Sequence, residues 1–322
     1  MRIFRYFMYF FACAMVTGLV ACNASKPLPA TSQPATLKMA LLPIVDNLPM
    51  YVAQQEGLFE QHGVKVEFIP VASAAERDQV FAARQADGII NEIISTLLYN
   101  KDQTQIQIVR FARVATPTNA EYYILVAGNS GIDSPQGLKG VDIGVSEGTI
   151  IEYITDRLLE AEGLDPTDIK TLAVPKISDR MALLASGELK AATLPDPLSF
   201  LAVQQGARIL LDDSKHPEYG HSTYAFRKTF IDQNPQAIRA FLAAIEEAIN
   251  QINAKPEKWE NLLSEQKLIP ASLAGKYEVP PFPAGGVPTE DLWKDVLAWA
   301  KDNQLVSKNI SYQDSVNANL LP

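Results

Sequence analysis

Short apolar runs of strand length alternate along the chain with longer segments in which apolar residues recur every three or four positions. Residues 37–42 form the first run, followed by a turn containing Pro43 and by helical spacing over 50–59. Residues 64–69 alternate polar and apolar as a second strand, 74–84 predict a helix, and 88–90 a short buried strand. Strands at 107–112 and 121–127 follow, then Gly128-Asn129-Ser130-Gly131, a break suited to a connection between lobes. Beyond it the pattern predicts strands at 141–145, 171–174, 191–194 and 208–211, with helices at 149–161 and 178–186. Residues 222–226 are expected to cross back to the first unit. The tail is helical: Asn234-Pro235 opens a helix to Asn250, since proline suits a first helical turn, and Pro288-Thr289-Glu290 opens another to Lys301. Between them Val279-Pro280-Pro281-Phe282-Pro283 is expected to be irregular. Alternation at this spacing implies an α/β protein with parallel sheets covered by helices.

The N-terminal segment follows a different pattern. Arg2 and Arg5 precede an apolar run over 6–20 that ends in Leu19-Val20-Ala21-Cys22, the charged, apolar and small-residue regions of a secretory signal. The run is shorter than the roughly 20 apolar residues a membrane span needs, so export is expected rather than a span. Leu19-Val20-Ala21-Cys22 also resembles a bacterial lipobox, which implies cleavage before Cys22 and acylation of that residue. Several acyl chains on one residue would hold the chain to a membrane stably. Cys13 would leave with the signal, so no thiol pair remains for a disulfide. Residues 23–36 are mostly Ala, Ser, Pro, Thr and Gln, with too little apolar content to fold, and are read as a tether. The expected organisation is a signal peptide at 1–21, a tether at 22–36, one lobe from 37–127 plus 225–322, and a second lobe at 128–224.

Composition narrows the function. A hydrophobic content of 47% over 322 residues supplies core for two lobes. The formal net charge is −9 and no Lys/Arg block occurs, which argues against nucleic acid as a partner. The three histidines, His62, His216 and His221, show no metal-ligand spacing, and neither a Gly-x-Ser-x-Gly element nor a phosphate loop is present. No cofactor and no metal are expected.

Ala53-Gln54-Gln55-Glu56-Gly57-Leu58-Phe59-Glu60-Gln61-His62-Gly63 resembles the "A-x-x-x-G-[LF]-F-x-x-x-G" signature of one family of periplasmic substrate-binding proteins. That family serves ABC importers of sulfonates, taurine, nitrate and thiamine precursors. Ser134-Pro135-Gln136-Gly137-Leu138-Lys139-Gly140 is similar to its "S-x-x-D-L-K-G" element, with Gly137 in place of the usual acid, and Ala192-Thr193-Leu194-Pro195-Asp196-Pro197 is a third match in order. The resemblance implies a two-lobed type 2 periplasmic-binding-protein fold that closes on a small-molecule ligand held between the lobes. It also implies an exported, membrane-anchored monomer that performs no chemistry and delivers its ligand to an ABC permease and ATPase. Two other functions fit the same fold. Relatives of this architecture act as enzymes on pyrimidine-type substrates, and a sensor lipoprotein would present the same sequence features. The cysteine-rich segment of the thiamine-precursor binders is absent.

In doubly wound sheets ligands lie beyond the carboxyl ends of the strands, which selects a few loops. They are Asp46 and Asn47 after the first strand, Asn91 and Glu92 after the third, Ser146-Glu147-Gly148-Thr149 after 141–145, and Asp196 after 191–194. Ser146-Glu147-Gly148-Thr149 precedes a helix, so its N–H groups are expected to suit an anionic group, with Ser146 either adding a hydroxyl or serving as the N-cap. Asp46, Glu92 and Asp196 either bring negative charge that suits an amino-bearing or heteroaromatic ligand, or cap helices and pair with surface bases. Tyr51 is a candidate for stacking on a planar ligand, whereas Tyr123 and Tyr224 are expected in the core. Arg113 is expected to form a surface ion pair.

Overall fold

The structure, a computed structural model, describes residues 36–322. The signal peptide, Cys22 and nearly all of the tether lie outside the described residues. Ten strands form two five-stranded sheets. The first holds β1 (Thr36–Leu41), β2 (Lys65–Pro70), β3 (Gly88–Asn91) and β4 (Ile106–Val114). The second holds β5 (Tyr122–Val126), β6 (Asp142–Val145), β7 (Lys170–Ala173), β8 (Ala191–Pro195) and β9 (Arg208–Asp212). The chain then returns to the first sheet with β10 (His221–Arg227). Spatial orders are β2-β1-β3-β10-β4 and β7-β6-β8-β5-β9.

Each sheet carries three parallel strands and then an antiparallel one that arrives from the other half. β10 runs antiparallel to β3 and β4, and β5 antiparallel to β8 and β9. The expected parallel sheets are therefore mixed. The first crossing also falls earlier than Gly128-Asn129-Ser130-Gly131. β5 already belongs to the second sheet, so the chain crosses between Val114 and Tyr122, and returns between Asp212 and His221. The signal at 128–131 marks only the turn after β5, because a strand's local pattern does not say which sheet it joins.

The two crossings are tied to each other. Ala115 N donates to Gly220 O at 3.0 Å, and Asp213 Oδ1 accepts from Glu121 N at 2.9 Å and Tyr122 N at 3.3 Å. A Cβ on Gly220 would stand 1.9 Å from Asp213 Oδ2, so glycine is what lets the return strand pass this carboxylate.

The Gly57-Leu58-Phe59 motif has a structural role. Gly57 takes φ 68°, breaking the helix Leu48–Gln55 from the turn of helix Leu58–Gln61. Leu58 and Phe59 are then buried, and Phe59 stacks on Phe241 of the long helix Pro235–Ala254 with centroids 5.6 Å apart. That helix covers one face of the first sheet through Ile238, Phe241, Leu242, Ile245 and Ile249.

The last long helix, Glu290–Asp302, joins the halves instead of serving the first alone. Its Trp293 and Trp299 share a core cluster with Ile89 and Ile93 of the first half and Ile143 and Ile154 of the second. Asp295 accepts from Tyr153 Oη at 2.7 Å and from Arg157 at 2.9 and 3.0 Å, and Trp299 Nε1 donates to Asp156 at 2.8 Å. All three partners sit on the helix Ile150–Ala161 of the second half. Among the described residues no helix is long and apolar enough to cross a membrane.

Candidate functional site

Two cavities of about 380 and 540 Å³ adjoin in the cleft, both lined by Ile44, Asp46, Tyr122, Ile151 and Ile177. Volumes of this order are those of small-molecule sites. The smaller cavity is bounded by the loop after β1, the first crossing, the end of β8, and residues 267–270 of the C-terminal segment. The larger is lined from the ends of β3 and β6 and the start of helix Ile177–Ser186. Strand carboxyl ends therefore supply most of the walls, as open α/β sheets require.

The smaller cavity is strongly acidic at its base. Arg113, 4% exposed, lies 2.5 Å from Asp196, 3.4 Å from Glu121 and 3.8 Å from Asp46. Tyr277 from the C-terminal segment donates its hydroxyl to Asp196, and Ser222 donates to Asp46 at 2.6 Å. The expectation of a surface ion pair at Arg113 is overturned, because β4 ends at the crossing and carries the residue between the two halves. Burial works against the guanidinium charge, but Asp196, Tyr277, Glu121 and Asp46 hold it well above the usual arginine range. Burial pushes Glu121 well above the usual carboxylate range despite Arg113. Three acidic side chains thus surround one cation; Oε1 of Glu121 has only the 3.4 Å approach of Arg113 Nε, and Oδ1 of Asp196 is buried without a hydrogen-bond partner. Buried acceptors of this kind are costly unless something supplies donors.

The larger cavity has a different character. Asn91 is buried, donates to Thr96 Oγ1 at 3.0 Å and accepts from Thr223 at 3.0 Å. Glu92 caps the helix Ile93–Asn100 by accepting from Ser95 N at 3.1 Å, and burial raises its carboxyl to about 6. It lines the cavity and caps a helix at once. Arg180 also lines this cavity, 0% exposed; its Nη1 donates to Val174 O at 3.0 Å and its Nε has no partner.

Of the residues selected from sequence, Asp46 and Asp196 line the smaller cavity, and Asp46, Asn91, Glu92, Ser146 and Thr149 the larger. Asn47 and Tyr51 line neither. The Asn47 side chain donates to Leu42 O and shapes the loop after β1, while Tyr51 packs edge-on against Phe68 at 5.3 Å. Glu147 and Gly148 also line neither. The expected anion cradle is already filled from within: Gly148 N donates to Glu152 at 2.7 Å, and Ile151 N to Thr149, the actual N-cap, at 3.2 Å. A carboxylate at the third residue of a helix satisfies the same orphan N–H groups that an anion would seek. Tyr224 is fully buried, as expected, and Tyr123 packs on Phe200 at 5.9 Å.

Tyr122, Glu121, Tyr277, residues 267–270 and Arg180 were not selected from sequence. Arg180 had a readable signal, since it lies on the apolar stripe of its helix with Ile177, Met181 and Leu184. The others meet only through the crossing and the C-terminal segment. The histidines stand outside both cavities: His62 pairs with Glu247 at 3.0 Å, His216 with Glu218 at 3.5 Å, and His221 is buried against Tyr219 O at 2.9 Å. Among the described residues no group of three potential metal ligands occurs.

Two α/β halves joined by paired crossings, with the cleft at the strand ends, define the periplasmic-binding-protein fold. The periplasmic aliphatic sulphonate binding protein SsuA of Escherichia coli superimposes with a TM-score of 0.73 at 22% identity, covering 88% of this chain and 92% of that one. The NMT1/THI5 like family model matches residues 45–259, and the chain belongs to that family. A putative thiamine biosynthesis protein of Haemophilus influenzae is 25% identical over 224 residues, 68% of this chain and 69% of that protein. A putative aliphatic sulfonates-binding protein of Escherichia coli is 28% identical over 168 residues, 52% of each chain. The desulfurization enzyme DSZB shares the fold at a TM-score of 0.63 with 15% identity, over 88% of this chain and 97% of that one.

Proposed function

We propose that this protein is the exported, lipid-anchored solute-binding component of an ABC importer. It captures a small polar molecule carrying a protonated amine or an N–H-rich ring, and closes its halves upon it. Family membership and the similarity to proteins named as sulfonate-binding support the transport role. The ligand class rests on one observation: the smaller cavity sets Asp46, Glu121 and Asp196 around a single Arg113, and leaves Oδ1 of Asp196 buried without a partner. A bound N–H donor would satisfy that oxygen, and a bare anion would meet repulsion from Asp46 and Asp196.

Titration of the folded body with primary amines and aminopyrimidines, followed by calorimetry, tests the ligand class. Charge-assisted hydrogen bonds are worth about 1.5–3 kcal/mol, so Asp196→Asn should weaken amine binding by about tenfold or more while circular dichroism stays unchanged. An affinity in Asp196→Asn equal to that of the unaltered protein, or a compound recovered chemically altered, would overturn the reading. The anchor rests on Leu19-Val20-Ala21-Cys22. Cys22→Ala is expected to move the protein from the membrane fraction to the soluble one, and a membrane-bound variant would refute the lipid anchor.

A further inference from the structure

The helix Glu290–Asp302 touches both halves but is fastened to only one. Before it, Gly286 O accepts from Phe111 N of β4 at 2.8 Å. After it, Asn317 N donates to Ile108 O at 2.8 Å, Gln107 Nε2 to Asp314 O at 2.8 Å, and Asn100 Nδ2 to Ser315 Oγ at 3.0 Å. Its Trp293 and Val296 share a core cluster with Ile93 and Leu97 of the helix Ile93–Asn100. Both ends and the inner face of the helix thus belong to the first half.

Its polar contacts reach the second half. Asp295 receives Tyr153 and two N–H groups of Arg157, and Asp156 receives Trp299, all across a seam with the helix Ile150–Ala161. Tyr153 is fully buried, with its ring centroid 5.7 Å from that of Trp299 and 6.0 Å from that of Tyr219 on the return crossing. Lys215 of the same crossing lies 3.5 Å from Glu162, the residue after the helix. The seam therefore sits beside the crossings, while the start of the same helix, Ile150 and Ile151, lines the cavities. Displacement in a rotation grows with distance from the axis, so a contact beside the crossings can persist while the cavity mouth opens and shuts.

We infer that the seam between helices Ile150–Ala161 and Glu290–Asp302 is a non-covalent fulcrum, a third hinge point that confines the halves to rotation about one axis. Two crossings alone leave the halves free to twist and to shear past each other. A third contact beside them removes those motions. The helix Ile150–Ala161 then carries the rotation to the cavity walls, and Asp295 and Trp299 are positioning residues that never touch ligand. The inference rests on the proposed closure of the halves and is independent of the ligand class.

The seam can be loosened without unfolding the protein. The Asp295 side chain is 40% exposed and Arg157 keeps Glu160 at 2.6 Å, so Asp295→Ala strands no buried charge. Trp299→Phe keeps a ring and removes the donor to Asp156. In the full chain with Cys13→Ser and Cys22→Ser, paired spin labels on introduced cysteines read two distances by double electron–electron resonance. Ala74→Cys with Lys176→Cys spans the larger cavity from opposite halves, and Ala161→Cys with Lys294→Cys spans the seam; all four positions are exposed. Without ligand, the seam pair should give a narrower distance distribution than the cavity pair. In Asp295→Ala/Trp299→Phe the seam distribution should broaden and the cavity distribution spread to shorter and longer distances, with circular dichroism unchanged. Asp295→Asn, which still accepts from Tyr153, should keep the seam narrow. A seam pair as broad as the cavity pair in the unaltered protein would overturn the fulcrum and leave closure standing. Unchanged distributions in the double variant, with or without a lower melting temperature, would reduce the seam to packing and overturn it equally. Two narrow distributions in the unaltered protein would show no motion of the free halves, which removes the fulcrum without bearing on the ligand class.

Discussion

Arg113→Met is expected to cost about 3–5 kcal/mol of stability at pH 7.5, among the largest effects of any single substitution in this protein. The guanidinium is 4% exposed and holds Asp196 at 2.5 Å, Glu121 at 3.4 Å and Asp46 at 3.8 Å. Methionine fills comparable space but leaves those carboxylates facing one another at the junction of the two halves. The arginine itself stays charged throughout the accessible pH range, since its folded value lies well above the usual one. All pH dependence of the deficit therefore comes from the acids. Glu121 is already raised by burial, and removing its cation raises it further. The deficit should accordingly shrink from pH 8 to pH 5 as the Glu121 carboxyl takes up its proton. Urea unfolding at both pH values measures it. A deficit below about 1 kcal/mol at pH 7.5 would mean that the carboxylates do not depend on Arg113.

Asp213→Asn is expected to act in the opposite direction. Asp213 is fully buried on the return crossing, and burial raises its carboxyl from 3.8 to about 7, above what its bonds from Glu121 N and Tyr122 N can offset. With the folded value above the unfolded one, its contribution is most favourable below pH 3.8 and is lost as pH rises through about 7. A rise of that size corresponds to about 4 kcal/mol at pH 8. Asparagine keeps the carbonyl oxygen that accepts from the first crossing and removes the charge. The variant should therefore be more stable than the unaltered protein by about 2–4 kcal/mol at pH 8, with the gain vanishing near pH 4. His221 has the contrary sign: burial lowers it to about 4, so its contribution holds above 6.5 and fades as pH falls. That term is common to both proteins and cancels in the difference. Equal stability at pH 8 would show that the Asp213 carboxylate is solvated in the folded state.

The two effects meet at one place. Arg113 and Glu121 flank the first crossing, Asp213 lies on the second, and Asp196 and Asp46 reach in from either half. The connection between halves is thus an arrangement of buried charge with more acids than bases. Cost tolerated at such a site is characteristic of function, because stability is commonly sacrificed where a ligand must be held.

Local structure was legible to within a few residues. The strands at 141–145 and 191–194 and the helix at 149–161 appear as Asp142–Val145, Ala191–Pro195 and Ile150–Ala161. The two-residue and 3.6-residue periods are consequences of one-sided burial, which the order of apolar residues already carries. The short helices Ile93–Asn100 and Leu198–Gln204 were not selected, since an apolar run of seven or eight residues bears no distinctive period. Asp46, Asn91, Glu92, Ser146, Thr149 and Asp196 were legible as cleft residues because strand ends converge in a doubly wound sheet.

The sequence by itself determined the alternation of strands and helices, the family, and most of the strand-end loops that line the cleft, because each follows from local spacing or from ordered motifs. Only the tertiary structure decided which sheet receives β5, that Glu152 occupies the helix start meant for an anion, and that Arg113 is neutralised while Arg180 is not. Strand partners and charge partners are chosen across long separations, Arg113 and Asp196 being 83 residues apart. Whether a buried charge finds its counterion depends on where the whole chain places the two groups, and local spacing carries no record of that distance.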